Sequence, residues 1–115
     1  MVEYNTHDLD RVFAALGNPT RRLLMRHLCL GPATVSELAA PLEISLNAVS
    51  KHLKVLERAE LIQRTVMGRV HHITLNAGPL QEAERWVNQY RQFWEAQLDS
   101  LDNWLKLDNE RKNNE

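Results

Sequence analysis

The sequence predicts a mainly α-helical chain with one small β-hairpin, in the order α-α-α-α-β-β-α. Three observations predict it. Before residue 60, four short stretches carry apolar residues three or four apart, separated by Gly, Pro or capping residues. Two runs rich in branched residues, 61–66 and 69–75, then flank Met67-Gly68. A last apolar repeat runs from Leu80 to Leu105. We assign residues 1–107 to a single domain in which 1–17 and 79–107 serve association. Residues 108–115 are polar and without periodicity, and are expected to be irregular.

In the first helix, residues 8–16 set Leu9, Val12, Phe13 and Leu16 on one stripe, and Gly17 follows as a natural stop. So short a helix is unstable alone and must pack on something. Asn18-Pro19 opens the second, an N-cap followed by a proline tolerated at the first helical position. Leu23, Leu24, Leu28 and Met25 form its expected buried side; Arg21, Arg22 and Arg26 lie opposite, and Gly31-Pro32 ends it. Two arginines in a first turn oppose the helix macrodipole, so they are expected to serve a partner or the fold's acids. Thr34 and Glu37 fit a capping box for a third helix, which Pro41 limits to about two turns. Ser45 caps the fourth, 45–59. The hairpin has its turn at Met67-Gly68, with Arg64 and Arg69 flanking the tip. Last, positions 80, 83, 87, 90, 94, 98, 101 and 105 form one stripe of a helix of about 26 residues, roughly 40 Å long. A second seam, Trp86, Phe93 and Trp104, widens its apolar face beyond what so small a core covers. A partner is implied.

Composition narrows the function classes. No run of ~18 apolar residues exists to span a membrane, and the start has no basic region followed by an apolar core, so a cytoplasmic protein is expected. The single Cys29 excludes an internal disulfide. Net charge is −1, but it is segregated: residues 1–17 hold one Arg against three acids, 18–76 eight basic residues against four, and 77–115 five against eight. The basic middle coincides with helix 45–59. No Gly-rich phosphate loop, His-Glu-x-x-His or Ser/His/Asp set is present, so no catalytic residues and no cofactor are assigned.

Helix 45–59 has two unlike faces. Ala48, Val49, Leu53, Val55 and Leu56 are apolar; Asn47, Ser50, Lys51, His52 and Lys54 bring donors and positive charge toward the N-terminal half. A polar, basic N-terminal half suits a helix that enters the major groove of double-stranded DNA. Two short helices joined by a tight turn, the second basic, make a helix-turn-helix, and a following hairpin makes a wing. The expected DNA contacts are Ser45, Asn47, Ser50, Lys51, His52, Lys54, Arg64, Arg69 and His71. Ser45 acts mainly as a cap; His52 equally suits a hydrogen bond that holds the motif together, and Ser50 suits packing on the third helix. Association residues are expected to be Leu9, Val12, Phe13, Leu16, Leu80, Val87, Tyr90, Trp94, Leu98, Leu101 and Leu105.

The runs NPTRRLLMRHL, TVSELAAPLEIS, NAVSKHLKVLERAELI and GRVHHITL resemble the ArsR-type bacterial winged-helix repressors, over about residues 8–106. Trp86, Tyr90, Phe93, Trp94 and Leu98 are similar to the branch whose members often lack metal sites. The resemblance implies a homodimer joined through its first and last helices, bound to a pseudo-palindromic operator and repressing transcription. Metal-sensing members often carry a Cys-x-Cys pair where this chain has Thr34 to Leu38 without a thiol, and others use Asp, His and Glu on a last helix that here has no His. Neither site supplies the three or four ligands a borderline metal needs, so no metal is assigned. Glu43 and Glu60 stand where family members have turn glycines. Cys29 reads either as a sensing thiol or, preferably, as a small buried hydrophobe. His71 and His72, adjacent on a strand, point to opposite faces and are poorly placed to chelate one ion. The effector is unknown. Two alternatives remain: a winged helix that docks proteins through its Trp-rich last helix, and a repressor sensing redox or a metal(loid) at a non-standard site.

Overall fold

The computed structural model describes the backbone of residues 6–113 and the side chains of 8–112; residues 1–5 of the expected domain and 114–115 of the expected tail lie outside the described residues. The elements are α1 (Thr6–Leu16), α2 (Pro19–Leu28), β1 (Ala33–Thr34), α3 (Val35–Ala39), α4 (Leu46–Arg58), β2 (Ile62–Met67), β3 (Val70–Leu75), α5 (Gly78–Asn88) and α6 (Arg91–Asn113). The mainly helical class with a hairpin stands. The order gains a two-residue strand and one helix. Two compact units divide between Ala83 and Glu84, inside α5.

The first unit is built on α4. Its Val49, Leu53 and Leu56 are fully buried against Val12 and Ala15 of α1, Leu24, Met25 and Leu28 of α2, Leu38 of α3 and the sheet residues Ile62 and Ile73. In α2 the buried side is Leu24, Met25 and Leu28; Leu23, expected inside, is exposed. The sheet has the order β1-β3-β2, all antiparallel, with Ala33 opposite Ile73, Thr34 opposite His72, and the hairpin running from Ile62 opposite Leu75 to Met67 opposite Val70. The turn is therefore Gly68-Arg69, one residue later than the sequence suggests. Gly68 has φ 64° and Arg69 a negative φ, the pattern of a type II′ hairpin turn, whose first central position favours Gly.

Caps fix the helix starts. Asn18 Oδ1 accepts from the Arg21 N–H, Thr34 Oγ1 from the Glu37 N–H and Ser45 Oγ from the Ala48 N–H, each at 3.1 Å. The capping box at Thr34 closes differently from the expected form: the Thr34 hydroxyl donates to Glu37 Oε1 at 3.1 Å. The end of α4 is a Schellman motif. The Glu60 N–H donates to the Glu57 carbonyl and the Leu61 N–H to the Leu56 carbonyl, with Glu60 left-handed at φ 59°. Asn76 Nδ2 donates to the Glu60 carbonyl at 2.8 Å, tying this corner to the end of β3.

In the second unit the single long helix of the sequence reading is interrupted. Around Asn88 to Tyr90 the Gln89 and Tyr90 amides donate three residues back, to Trp86 and Val87, before the four-residue pattern resumes from Trp94 to Tyr90. A tightened turn of this kind leaves apolar spacing almost unchanged, so periodicity does not register it. The Trp86 and Tyr90 rings stack across the break, 5.0 Å apart and tilted by 55°. α6 continues to Asn113, so residues 108–113 of the expected irregular tail are helical.

Candidate nucleic-acid interface

α4 carries the candidate reading surface because its faces are so unequal. With Val49, Leu53 and Leu56 buried, Asn47, Lys51 and Lys54 are turned outward and exposed. Among the described residues neither lysine is in an ion pair, and the first turn of α4 carries no acid. Ser45, also exposed, spends its side chain on the cap. Ser50 is half-buried and lines a shallow groove with Thr34, Val35, Ser36, Leu46, Arg64, Arg69, Val70 and His71. The groove lies between the start of α3, the outer face of α4 and the hairpin. It brings four of the expected residues together: Ser50, Arg64, Arg69 and His71.

Four of the expected contacts have partners inside the fold: Ser45 in its cap, His52, Arg64 and His71. His52 is half-buried and its Nδ1 lies 3.3 Å from Arg21 Nη1. A guanidinium only donates, so Nδ1 accepts and the His52 proton sits on Nε2. Arg64, read as flanking the hairpin tip, sits opposite Ile73, well inside the strand. Its Nε donates to Glu57 Oε2 at 3.0 Å and its Nη1 to His71 Nδ1 at 3.1 Å. The wing is thereby tethered to the side of α4. Arg69, in the turn itself, is exposed.

Among the described residues the arginines at the start of α2 turn to the carbonyls of α1 and not to an acid. Arg21 Nε and Nη2 donate to the carbonyls of Ala15 and Ala14 at 2.6 and 3.1 Å, and Arg22 Nη1 to that of Leu16 at 2.7 Å. They cap the carboxyl end of α1, where cations offset the negative end of the dipole. Arg21 thus links α1, α2 and α4. A signal was present in the sequence: a cation pair misplaced for its own helix is well placed for the end of the preceding one.

Of the expected association residues, Val12 belongs to the core, 2% exposed, because the α1 stripe is used up on α2 and α4. Leu9, Leu16 and Leu80 pack partly against that core. Phe13, Val87, Tyr90, Trp94, Leu98, Leu101 and Leu105 are exposed. Cys29 is also exposed, as the C-cap of α2, which removes the buried-hydrophobe reading. One residue beyond buried Leu28, the helix has turned by about 100° and the side chain leaves the core. Among the described residues no three His, Cys, Asp or Glu side chains are grouped to hold a metal ion. No helix among them is long and apolar enough to cross a membrane.

Comparison with known proteins agrees with this geometry. A family described as a helix-turn-helix domain matches residues 16–65, the segment from the end of α1 to the middle of β2. The transcriptional repressor SdpR of Bacillus subtilis is 33% identical over 79 residues, covering 69% of this chain and 88% of that protein. The HTH-type transcriptional regulator Rv2034 of Mycobacterium tuberculosis is 49% identical over 53 residues, covering 46% of this chain and 50% of that one. The crystal structure of an ArsR family transcriptional regulator superposes with a TM-score of 0.75 at 37% identity, covering 83% of this chain and 97% of that one. Each of these relatives is a transcriptional repressor or regulator, and with them the chain belongs to the ArsR family of winged helix-turn-helix transcriptional regulators.

Proposed function

We propose that this regulator is a cytoplasmic homodimeric repressor that binds an inverted-repeat operator in double-stranded DNA. Helix 45–59 enters the major groove and the 61–75 wing lies near the minor groove. The observation that carries the reading is the division of α4: one face is wholly buried, and the other presents Asn47, Lys51 and Lys54 to solvent without acidic partners. Asn47 suits bidentate pairing with adenine and Lys51 suits guanine or phosphate, while Ser50 and the Nε2–H of His52 stand beside them. Lys54, Ser45 and Arg69 suit backbone phosphates. Arg64 and His71 act by holding the wing to α4 as much as by contact.

A two-fold operator needs two reading helices about 34 Å apart. Support for the dimer comes from exposed apolar residues of this chain: Val87 and Tyr90 around the helix break, and Trp94, Leu98, Leu101 and Leu105 on α6. Exposed Trp94 and Trp104 also favour a second reading, a protein partner docked on the last helices.

The test titrates the protein with duplex DNA from upstream of its own gene over a range of salt. The proposal expects log affinity to fall steeply and linearly with log salt, with a slope of several released counterions, and a complex of two chains per duplex. Flat salt dependence, or a protein bound to the last helices with no DNA affinity, would favour the second reading.

A further inference from the structure

The first residue of the reading helix is the one exposed apolar side chain in its outward N-terminal half. Leu46 is 55% exposed and is not among the residues of the core or those packed against it. Its position is fixed, because the Ser45 side chain closes the first turn on the Ala48 N–H at 3.1 Å. Ser50 lies one turn along on the same side, and both line the groove below the wing, where Val70 offers a second apolar side chain. Asn47 and Lys51 flank this line on the exposed side. Leucine at this position lies outside the hydrophobic core. It stands where reading helices of this type meet base edges.

We propose that Leu46 is a specificity-determining residue that reads the 5-methyl group of a thymine, beside an adenine read by Asn47. The inference rests on the DNA-binding reading above and deepens it. In the major groove, guanine, adenine and cytosine present donors and acceptors, and thymine alone adds an apolar group. Leucine has neither donor nor acceptor. Set against guanine O6 and N7 or cytosine N4 it displaces water from polar atoms and replaces no hydrogen bond. Set against thymine it buries a methyl group. The Leu46-Asn47 pair therefore favours half-sites holding a thymine next to an adenine at the position under the start of α4.

The experiment selects duplexes for the intact protein from a randomised pool, then replaces thymines of the selected duplex one at a time by deoxyuridine, which pairs identically and lacks only the methyl. One thymine per half-site is expected to be methyl-sensitive, with affinity falling about fourfold on its replacement, the value of one buried methyl-sized group. Leu46→Ala is expected to bind the thymine duplex about fourfold more weakly and to treat thymine and uracil alike. Leu46→Gln, which keeps the length and gains hydrogen-bonding groups, is expected to lose methyl sensitivity and select a different base at that step. Thermal unfolding of both variants reports that the fold is kept. If the parent protein bound the selected duplex tightly and no thymine were methyl-sensitive, or if Leu46→Ala kept the same sensitivity, the assignment to Leu46 would be overturned with DNA binding intact. Failure to enrich any duplex at low salt would overturn the DNA-binding reading, and this one with it.

Discussion

Leu53 and Leu98 are both leucines on amphipathic helices, yet one is 0% and the other 64% exposed. Leu53 sits in the first unit, where α1, α2, α3, α4 and the sheet all turn apolar side chains onto one core. Leu98 sits in the second, where every described side chain from Glu84 to Lys112 except Asp108 is exposed. Polar contacts follow the same division. In the first unit several join different elements: Arg21 to α1 and α4, Arg64 from β2 to α4 and β3, Asn76 to the corner after α4. In α6 the ion pairs Lys106–Asp102 and Lys112–Asp108 join residues four apart on one helix, worth about 0.3–0.5 kcal/mol each and unable to fix the helix against anything else. Most of a helix's stability in a protein comes from packing of its apolar face. The first unit therefore packs on a core of its own, while the apolar side chains of the second are exposed.

Core truncation and surface truncation separate the two most sharply. Leu53→Ala is expected to destabilise the first unit by about 2–5 kcal/mol in urea unfolding, through lost transfer energy and a cavity. A cost under about 1 kcal/mol would break the comparison. Replacing Leu98 and Leu101 together by Glu is expected to leave the unfolding of the first unit in place while weakening self-association about tenfold or more, since each leucine buried at an interface contributes about 1.5–3 kcal/mol. Sedimentation velocity reads that loss. For the unaltered protein the unfolding midpoint should rise with protein concentration; a midpoint independent of concentration, with monomer throughout, would leave the α6 face to another partner.

Arg21 sharpens the comparison within the first unit. Arg21→Ala removes donors from two α1 carbonyls and from His52. Hydrogen bonds of a charged donor contribute about 1.5–3 kcal/mol, discounted here for partial exposure, so a loss of about 1–2 kcal/mol is expected in urea unfolding. Arg22→Ala, which gives up one exposed bond to Leu16, should cost less than half of that. Equal costs would mean that the link from Arg21 to α4 contributes nothing.

What was legible in the sequence follows from range. The helix starts at Asn18, Thr34 and Ser45 were legible because a cap acts over three residues. So were the buried face of α4 and the hairpin, whose periods are local. β1 was not, because two residues carry no period and its pairing with β3 spans about forty positions of chain. The break at Asn88 to Tyr90 was invisible to an apolar pattern that passes through it unchanged. At the site, the outward line of Asn47, Lys51 and Lys54 was readable from helical spacing. The partners of Arg21, Arg64 and His52 were not, since each lies on another element and depends on how helices and wing pack. Val12 and Cys29 exchanged their expected environments for a like reason. A stripe says which residues are apolar neighbours, and packing decides which of them meet the core and which leave it.

A gain in place of a loss is expected at Glu60, the left-handed residue that ends α4. An L side chain in that conformation costs roughly 1 kcal/mol or more relative to glycine, and here the backbone is held by the two Schellman hydrogen bonds and by Asn76. Neither the Glu60 side chain nor any ion pair among the described residues offsets the strain. Glu60→Gly is therefore expected to stabilise the first unit by about 1 kcal/mol, an upward shift of about 4–8 °C for a domain of this size. Glu60→Ala keeps the Cβ, and with it the strain, so it should gain little. If alanine stabilised as much as glycine, the gain would come from removing a charge rather than from relief at φ 59°. Because the corner belongs to the first unit, the glycine variant should raise the unfolding midpoint without changing self-association, the reverse of the paired change at Leu98 and Leu101.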